Sequence, residues 1–389
     1  MGFLREERRA KGRAIVRASR RLRDAVLRPP PLPRPEGLPR RILVIRPYFL
    51  GDIVLCLPVA QALRRARPDA RISWLCRSEW IPLLQGHTPV DEVIPFPDRG
   101  AKEWFGFLQG LRGRFDLVLS LAWDRSTPWI ARATGAPTLI AIEEHGRPRI
   151  SSLLHTHTVV APERTRDRRP MADFYFEPLR LLGFGARGEE PKLVPTLEED
   201  REVGERLASG LGMEEGFLLV HPGGRLRAKR WSPERFAEVL RKLTEACRAG
   251  APPATQADDG NRSGCPTADP YAAKRSGCPP VVLVCGPGEE SWAANLARDL
   301  PPGRGMFWPV PKLGELIALS KRARIFLGND SGPMHVAAAA GCRVVAVFGG
   351  DPCRWGPCGE GHRLVTGPSG IESIPASRVT AALGEALAT

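Results

Sequence analysis

The 389-residue chain contains no apolar run approaching the roughly 18 to 20 residues that a helix needs to cross a bilayer. No uninterrupted apolar segment follows its basic N-terminus, so no secretory leader is read there and the expected location is the cytoplasm. It has no Gly-rich loop ending in Lys-Ser/Thr, which excludes a P-loop NTPase. It has no Asp-x-Asp pair, so an acidic metal clamp of that kind on a diphosphate is missing. No metal and no cofactor are expected, and any diphosphate would have to be neutralised by backbone N–H groups, Lys and Arg. Among nine cysteines, Cys353 and Cys358 have no second pair at metal-ligand spacing, which argues against a structural zinc. Cys56, Cys76, Cys285 and Cys342 fall in apolar surroundings and are expected in a core. No Ser/His/Asp set can be assigned from spacing.

The net charge is +14, and more than half of that excess lies in residues 1–40. The remaining chain is only mildly basic, so nucleic acid is not an expected partner. "REERRAKGRAIVRASRRLRDAVLR" (5–28) places Ile15, Ala18, Leu22, Ala25 and Val26 at helical spacing among arginines. Such a helix suits the anionic inner face of a cytoplasmic membrane, and a solvated tail is the plainer reading. The Pro-rich stretch 29–40 then ends any helix and acts as a stiff linker.

From Arg41 strands and helices alternate. Strands are expected at 41–46, 71–76, 91–96, 115–121 and 138–142, with helices at 53–66 and 101–112 between them. A less regular region with one helix near 171–183 fills 145–195. The alternation then resumes, with strands at 216–221, 280–286, 305–309, 323–328 and 343–349 and helices at 232–248, 289–299, 312–322 and 333–340. This predicts an α/β fold of two Rossmann-like domains, 41–190 and 191–389, facing a central cleft, behind the basic extension 1–40. Residues 249–279, rich in Ala, Pro, Gly, Asp and Ser, carry "RSGCP" twice and read as a disordered surface insertion.

Three strand-to-helix junctions hold the polar residues that could do chemistry. In "GNDSGPMHV" (328–336), Asp330, Ser331 and Gly332 precede a helix opening with Pro333, whose first-turn N–H groups and dipole favour an anion. Asp330 or Ser331 could equally be an N-cap. His335 lies on a helix of small residues and reads as a packed or capping side chain. In "HPGGRLRAKRWSPERF" (221–236), a Gly pair is followed by Arg225, Arg227, Lys229 and Arg230, a cationic loop suited to a diphosphate or simply to solvent. In "RPYFLGDIVLCLP" (46–58), Gly51 permits a turn and Asp52 stands at or just before the helix start, as an N-cap or as a general base. Glu289 and Glu290, after the strand at 280–286, offer a carboxylate to a ribose.

These elements, in this order, resemble glycosyltransferase family 9, the ADP-heptose:lipopolysaccharide heptosyltransferases. The matching pieces are "ILVIRPYFLGDIVLCLPVAQALR", "HPGGRLRAKRWSPERFAEVL" and "GNDSGPMHVAAAAGCRVVAVFGGDPCRWGP". The resemblance spans about residues 41–389 without the insertion. It implies a GT-B fold and metal-independent, inverting transfer of a heptose from a nucleotide-sugar donor to an acidic lipid-linked glycan. It assigns Asp52 as the base and Lys229, Asp330, Ser331 and Gly332 to the donor phosphates. It also assigns Glu289 or Glu290, preferentially Glu290, to the ribose. Gly51, Arg225 and His335 complete the expected donor-binding set. Many members carry a small hydroxyl residue just before the Gly-Asp pair, where this chain has Tyr48-Phe49-Leu50; that difference bears on acceptor or sugar specificity. Two other functions fit the same pattern: a nucleotide-sugar epimerase of this architecture, and a non-catalytic basic protein of the membrane surface.

Overall fold

A computed structural model of the chain describes residues 30–97, 101–122, 124–143, 153–160, 169–248, 279–298, 300 and 303–388. The amphipathic segment 1–28 and nearly all of the insertion 249–279 lie outside the described residues. The chain divides into two compact units, Met1–Lys192 and Leu193–Thr389.

The first unit contains, in order, β1 (Arg41–Ile45), α1 (Leu50–Ala66), β2 (Arg71–Arg77), α2 (Ile81–Leu84), β3 (Glu92–Phe96), α3 (Ala101–Leu111), β4 (Leu117–Ser120), α4 (Thr127–Ala133), β5 (Thr138–Glu143), β6 (His157–Val160), α5 (Met171–Tyr175) and α6 (Glu177–Leu181). The strands order as β3-β2-β1-β4-β5-β6, and every pairing is parallel. β1 and β4 are buried almost throughout, and β5 throughout. That explains their near-continuous Ile, Leu, Val and Ala content, because a parallel strand covered by helices on both faces has no solvent side to alternate with. The region 145–195, expected to hold one helix, also holds β6, which extends the sheet beside β5.

The second unit contains α7 (Leu197–Leu211), β7 (Leu218–His221), α8 (Pro233–Arg248), β8 (Val281–Cys285), α9 (Glu290–Arg298), β9 (Gly305–Pro309), α10 (Leu313–Arg322), β10 (Ile325–Asn329), α11 (Gly332–Ala339), β11 (Arg343–Phe348), α12 (Pro352–Trp355), β12 (Arg363–Thr366) and α13 (Ala376–Ala388). Its strand order, β12-β11-β10-β7-β8-β9, is again entirely parallel. On α8, Phe236, Val239, Leu240 and Leu243 recur at helical spacing and bury one stripe against Val220, Leu283 and Val379. Cys56, Cys76, Cys285 and Cys342 are buried free thiols, as their apolar surroundings predict.

Counted within each unit, both sheets have the order 3-2-1-4-5-6. The first and fourth strands lie side by side, but their crossovers leave in opposite directions. A crevice opens beyond their carboxyl ends, where backbone groups and helix N-termini are left for a ligand. In the first unit this point lies between β1 and β4, and in the second between β7 and β10.

Candidate active site

At the β1/β4 point the structure gathers three side chains. α1 begins at Leu50, three residues earlier than the pattern suggests, so Asp52 sits inside the first turn and is not its cap. The cap position belongs to Phe49, which has a positive φ of 64°, while Gly51, expected to permit the turn, lies inside the helix. Asp52 Oδ1 accepts a hydrogen bond from the Tyr175 hydroxyl at 2.5 Å, and Oδ2 pairs with Arg46 Nη2 at 2.9 Å. Arg46 also donates through Nη1 to the Leu121 carbonyl at 2.9 Å, and its guanidinium lies 4.9 Å from the centre of the Tyr175 ring. The three groups therefore close a ring across the ends of β1 and β4.

Burial decides how this ring behaves. Tyr175 is fully buried, and that burial pushes its phenol well above the usual range, so it stays a donor at any working pH. Burial also works against the charge on Arg46, but the Asp52 carboxylate paired with it helps to keep the guanidinium protonated. The Asp52 side chain keeps 13% of its surface exposed against 7% for Arg46, so it is the less buried partner of the ion pair. The motif at 46–58 makes Asp52 visible in the sequence. Tyr175, 123 residues away, has no sequence signal.

At the β7/β10 point the loop 222–231 is held from two sides. Asn329, the last residue of β10, is completely buried. Its amide nitrogen donates to the Pro222 and Gly223 carbonyls at 2.7 and 3.0 Å, and its amide oxygen accepts from Trp231 N at 3.1 Å. Glu289 is buried and accepts from Gly224 N at 3.0 Å and Gly286 N at 2.9 Å, while Arg230 pairs with it at 3.2 Å and donates to the Gly224 carbonyl. Gly223 is forced by this packing, since a Cβ there would fall 1.8 Å from Glu289 Oε2.

So tethered, the loop brings Lys229 to Asp330, with Nζ to Oδ2 at 2.6 Å. Burial, opposed by Lys229, pushes the Asp330 carboxyl up from its ordinary value. Ser331 occupies the cap position of α11 but makes no capping bond, and its buried Oγ has no hydrogen-bond partner among the described residues. The plain N-cap reading of Asp330 and Ser331 is therefore corrected. One carboxylate is turned to a lysine, and one hydroxyl is left for something else. Gly332 is the first residue of α11, and His335 is buried within that helix. Arg225 is exposed on the loop, and Glu290 is exposed at the start of α9, whereas Glu289 is fully used by backbone and Arg230. Gly51 and Asp52 belong to the first unit and the other predicted site residues to the second. Asn329 escapes a reading of the sequence as the loop's anchor, although it stands next to the Asp-Ser-Gly run. Among the described residues no cluster of three or more His, Cys, Asp or Glu is placed to hold a metal ion.

In chemical terms, the second unit has a lysine paired with Asp330 next to the N-terminus of α11, groups of the kind that bind phosphate oxygens. The first unit presents one oriented, accessible carboxylate.

Known proteins resemble this chain in sequence and in fold. The family model described as glycosyltransferase family 9 (heptosyltransferase) matches residues 104–250 and 272–373. Lipopolysaccharide heptosyltransferase 3 of Escherichia coli K12 is 24% identical over 330 residues, which cover 80% of this chain and 83% of that protein. The glycosyltransferase family 9 structure from Veillonella parvula superposes with a TM-score of 0.72 at 20% identity, covering 90% of this chain and 97% of that one. ADP-heptose lipopolysaccharide heptosyltransferase II of E. coli gives 0.68 at 20% identity, covering 90% and 98%. The likeness to these structures gives the fold, the GT-B type expected from the sequence.

Two outcomes follow for this region. Asn329→Asp replaces a donor that faces two carbonyls with a buried acceptor, so it should lower the melting temperature more than Asn329→Ala, itself costing about 1–3 kcal/mol; calorimetry of both variants checks the order. His221, the last residue of β7, is held below the usual imidazole value by burial, with Arg230 adding to the effect and Glu289 opposing it. Its unfolded counterpart titrates near about 6.5, so the unfolded chain takes up the proton first and stability is lost as pH falls below that value. A melting temperature that declines between about pH 7 and 5.5 in the parent, and less steeply in His221→Gln, is the expected observation.

Proposed function

The chain belongs to glycosyltransferase family 9, the heptosyltransferases, and on that premise we propose that this glycosyltransferase moves a heptose from ADP-heptose to a glycan of the lipopolysaccharide core. The transfer inverts the anomeric centre and needs no metal. The observation that carries the reading is Asp52, a single carboxylate oriented through both oxygens at a switch point and still accessible. An inverting displacement needs one base and one leaving-group site; Asp52 is the candidate for the first, and Lys229 with Ser331 for the second.

In this mechanism Asp52 takes the proton of the acceptor hydroxyl as its oxygen bonds to the anomeric carbon. The bond from that carbon to the diphosphate oxygen breaks, and the nucleoside diphosphate leaves with the electron pair. Lys229, Ser331 and the first-turn N–H groups of α11 stabilise the charge that develops on it. Arg225 adds cationic charge at the loop's rim, and Glu290 accepts the ribose hydroxyls. Arg46 remains beside Asp52 throughout, and proton transfer comes late, as charge builds on the acceptor oxygen.

Residues 1–28 are proposed to hold the enzyme at the anionic inner face of the membrane, where a lipid-linked acceptor lies. Removing them should abolish co-sedimentation with phosphatidylserine-containing vesicles in low salt while leaving transfer to a soluble acceptor intact.

The central test separates base from donor site. Asp52→Asn should lower kcat by roughly a hundred- to ten-thousandfold with donor affinity retained. Lys229→Ala should weaken donor binding by roughly tenfold or more. Tyr175→Phe should lower kcat by about tenfold and leave the donor KM unchanged. Steady-state kinetics and donor titration calorimetry give all three. Full turnover in Asp52→Asn removes the base assignment.

A further inference from the structure

Phe49 occupies a position for which phenylalanine is a poor choice on three separate counts. It is the cap residue of α1, where Ser, Thr, Asp or Asn would give the first-turn N–H groups a side-chain acceptor, and it makes no capping bond. Its backbone has φ 64° and ψ 118°, a conformation that side-chain-bearing residues rarely adopt; Phe49 and Val310 are the only described residues other than glycine with positive φ. Its ring is 45% exposed. Strain of this kind persists where the surrounding structure enforces it and clusters at ligand sites.

A file of aromatic rings leads inward from this position. Phe49 lies 6.1 Å from Tyr48, Tyr48 lies 5.5 Å from Phe96, Phe96 lies 5.5 Å from Trp104, and Trp104 lies 6.0 Å from Phe107. The inner members pack against the core of the first unit, so Phe49 is the outermost ring of a braced series. Asp52 follows three residues later in the first turn of the same helix. An exposed aromatic backed by a packed ring, with a carboxylate three residues on at the start of the same helix, supplies the two groups that hold a sugar: a ring to cover its apolar C–H face and a carboxylate to take its hydroxyl.

We propose that Phe49 is an acceptor platform, stacking on the pyranose residue whose hydroxyl is deprotonated by Asp52. The inference rests on the reading of Asp52 as the general base.

The test exploits the strain. Glycine adopts a positive φ freely, so Phe49→Gly relieves the backbone while removing the ring. Its melting temperature should equal or exceed the parent's. With ADP-heptose and the core oligosaccharide freed from lipopolysaccharide by mild acid, its acceptor KM should rise roughly tenfold. The donor KM should stay put, and kcat at saturating acceptor should stay within about twofold. Phe49→Trp should keep the parental acceptor KM. An unchanged acceptor KM in Phe49→Gly overturns the proposal, as does a change in the donor KM instead. The proposal also fails if the KM rises for lipid-linked acceptor alone, since the ring would then touch lipid and not sugar. Turnover surviving in Asp52→Asn is a different result, and it removes the base assignment whatever Phe49→Gly shows.

Discussion

Two parallel strands whose crossovers depart in opposite directions cannot have their carboxyl ends closed by the chain itself. Each unit meets this constraint once, between its first and fourth strands, and in each the polar groups left there are tied by buried side chains reaching across the gap. In the first unit Arg46 does this, bonding the Leu121 carbonyl beyond β4 and Asp52 on α1 at once. In the second it is Asn329, whose amide meets two carbonyls and one N–H of the facing loop. The choice of side chain follows the task. A planar amide has the donors and acceptor that a loop backbone needs and adds no charge, whereas the first unit has a carboxylate to hold and uses a guanidinium.

That difference has an electrostatic consequence. A buried guanidinium is tolerated only with a compensating anion close by, so Asp52 and Arg46 stabilise each other's charge and neither can be altered alone without cost. Tyr175 supplies a third contact that carries no charge, and its raised phenol keeps the direction of the hydrogen bond fixed. Lys229 and Asp330 form the looser counterpart. Burial disfavours the Asp330 charge, while the Lys229 side chain is 38% exposed, so this pair can open towards an incoming anion at less cost than the buried pair of the first unit.

Much of this architecture is legible in the order of residues. The apolar runs 41–46, 216–221 and 343–349 fit only buried parallel strands, and the Gly-Asp, Lys-x-Trp and Asp-Ser-Gly segments stand at strand-to-helix junctions where ligands bind. What stays hidden is non-local or conformational. β6 is four residues whose pairing with β5 makes it a strand. α7 has a narrow apolar stripe, and its start is written only in the capping box of Thr196 and Glu199. Tyr175 reaches Asp52 across most of a domain, and no spacing rule connects them. Pattern places the turn at Gly51, whereas the positive φ falls on Phe49, a residue type that rarely hosts it.

The neighbouring acids Glu289 and Glu290 show how one residue of offset divides structure from function. Glu289 points inward, where its oxygens close the ends of two loops and exclude any side chain from Gly223. Every lone-pair direction it spends there is withdrawn from a ligand, and losing it would free the loop that carries Lys229. Glu290 opens α9, and its side chain faces solvent. Glu290 is therefore the exposed member of the pair, and Glu289 is the reason that the loop opposite it keeps its shape.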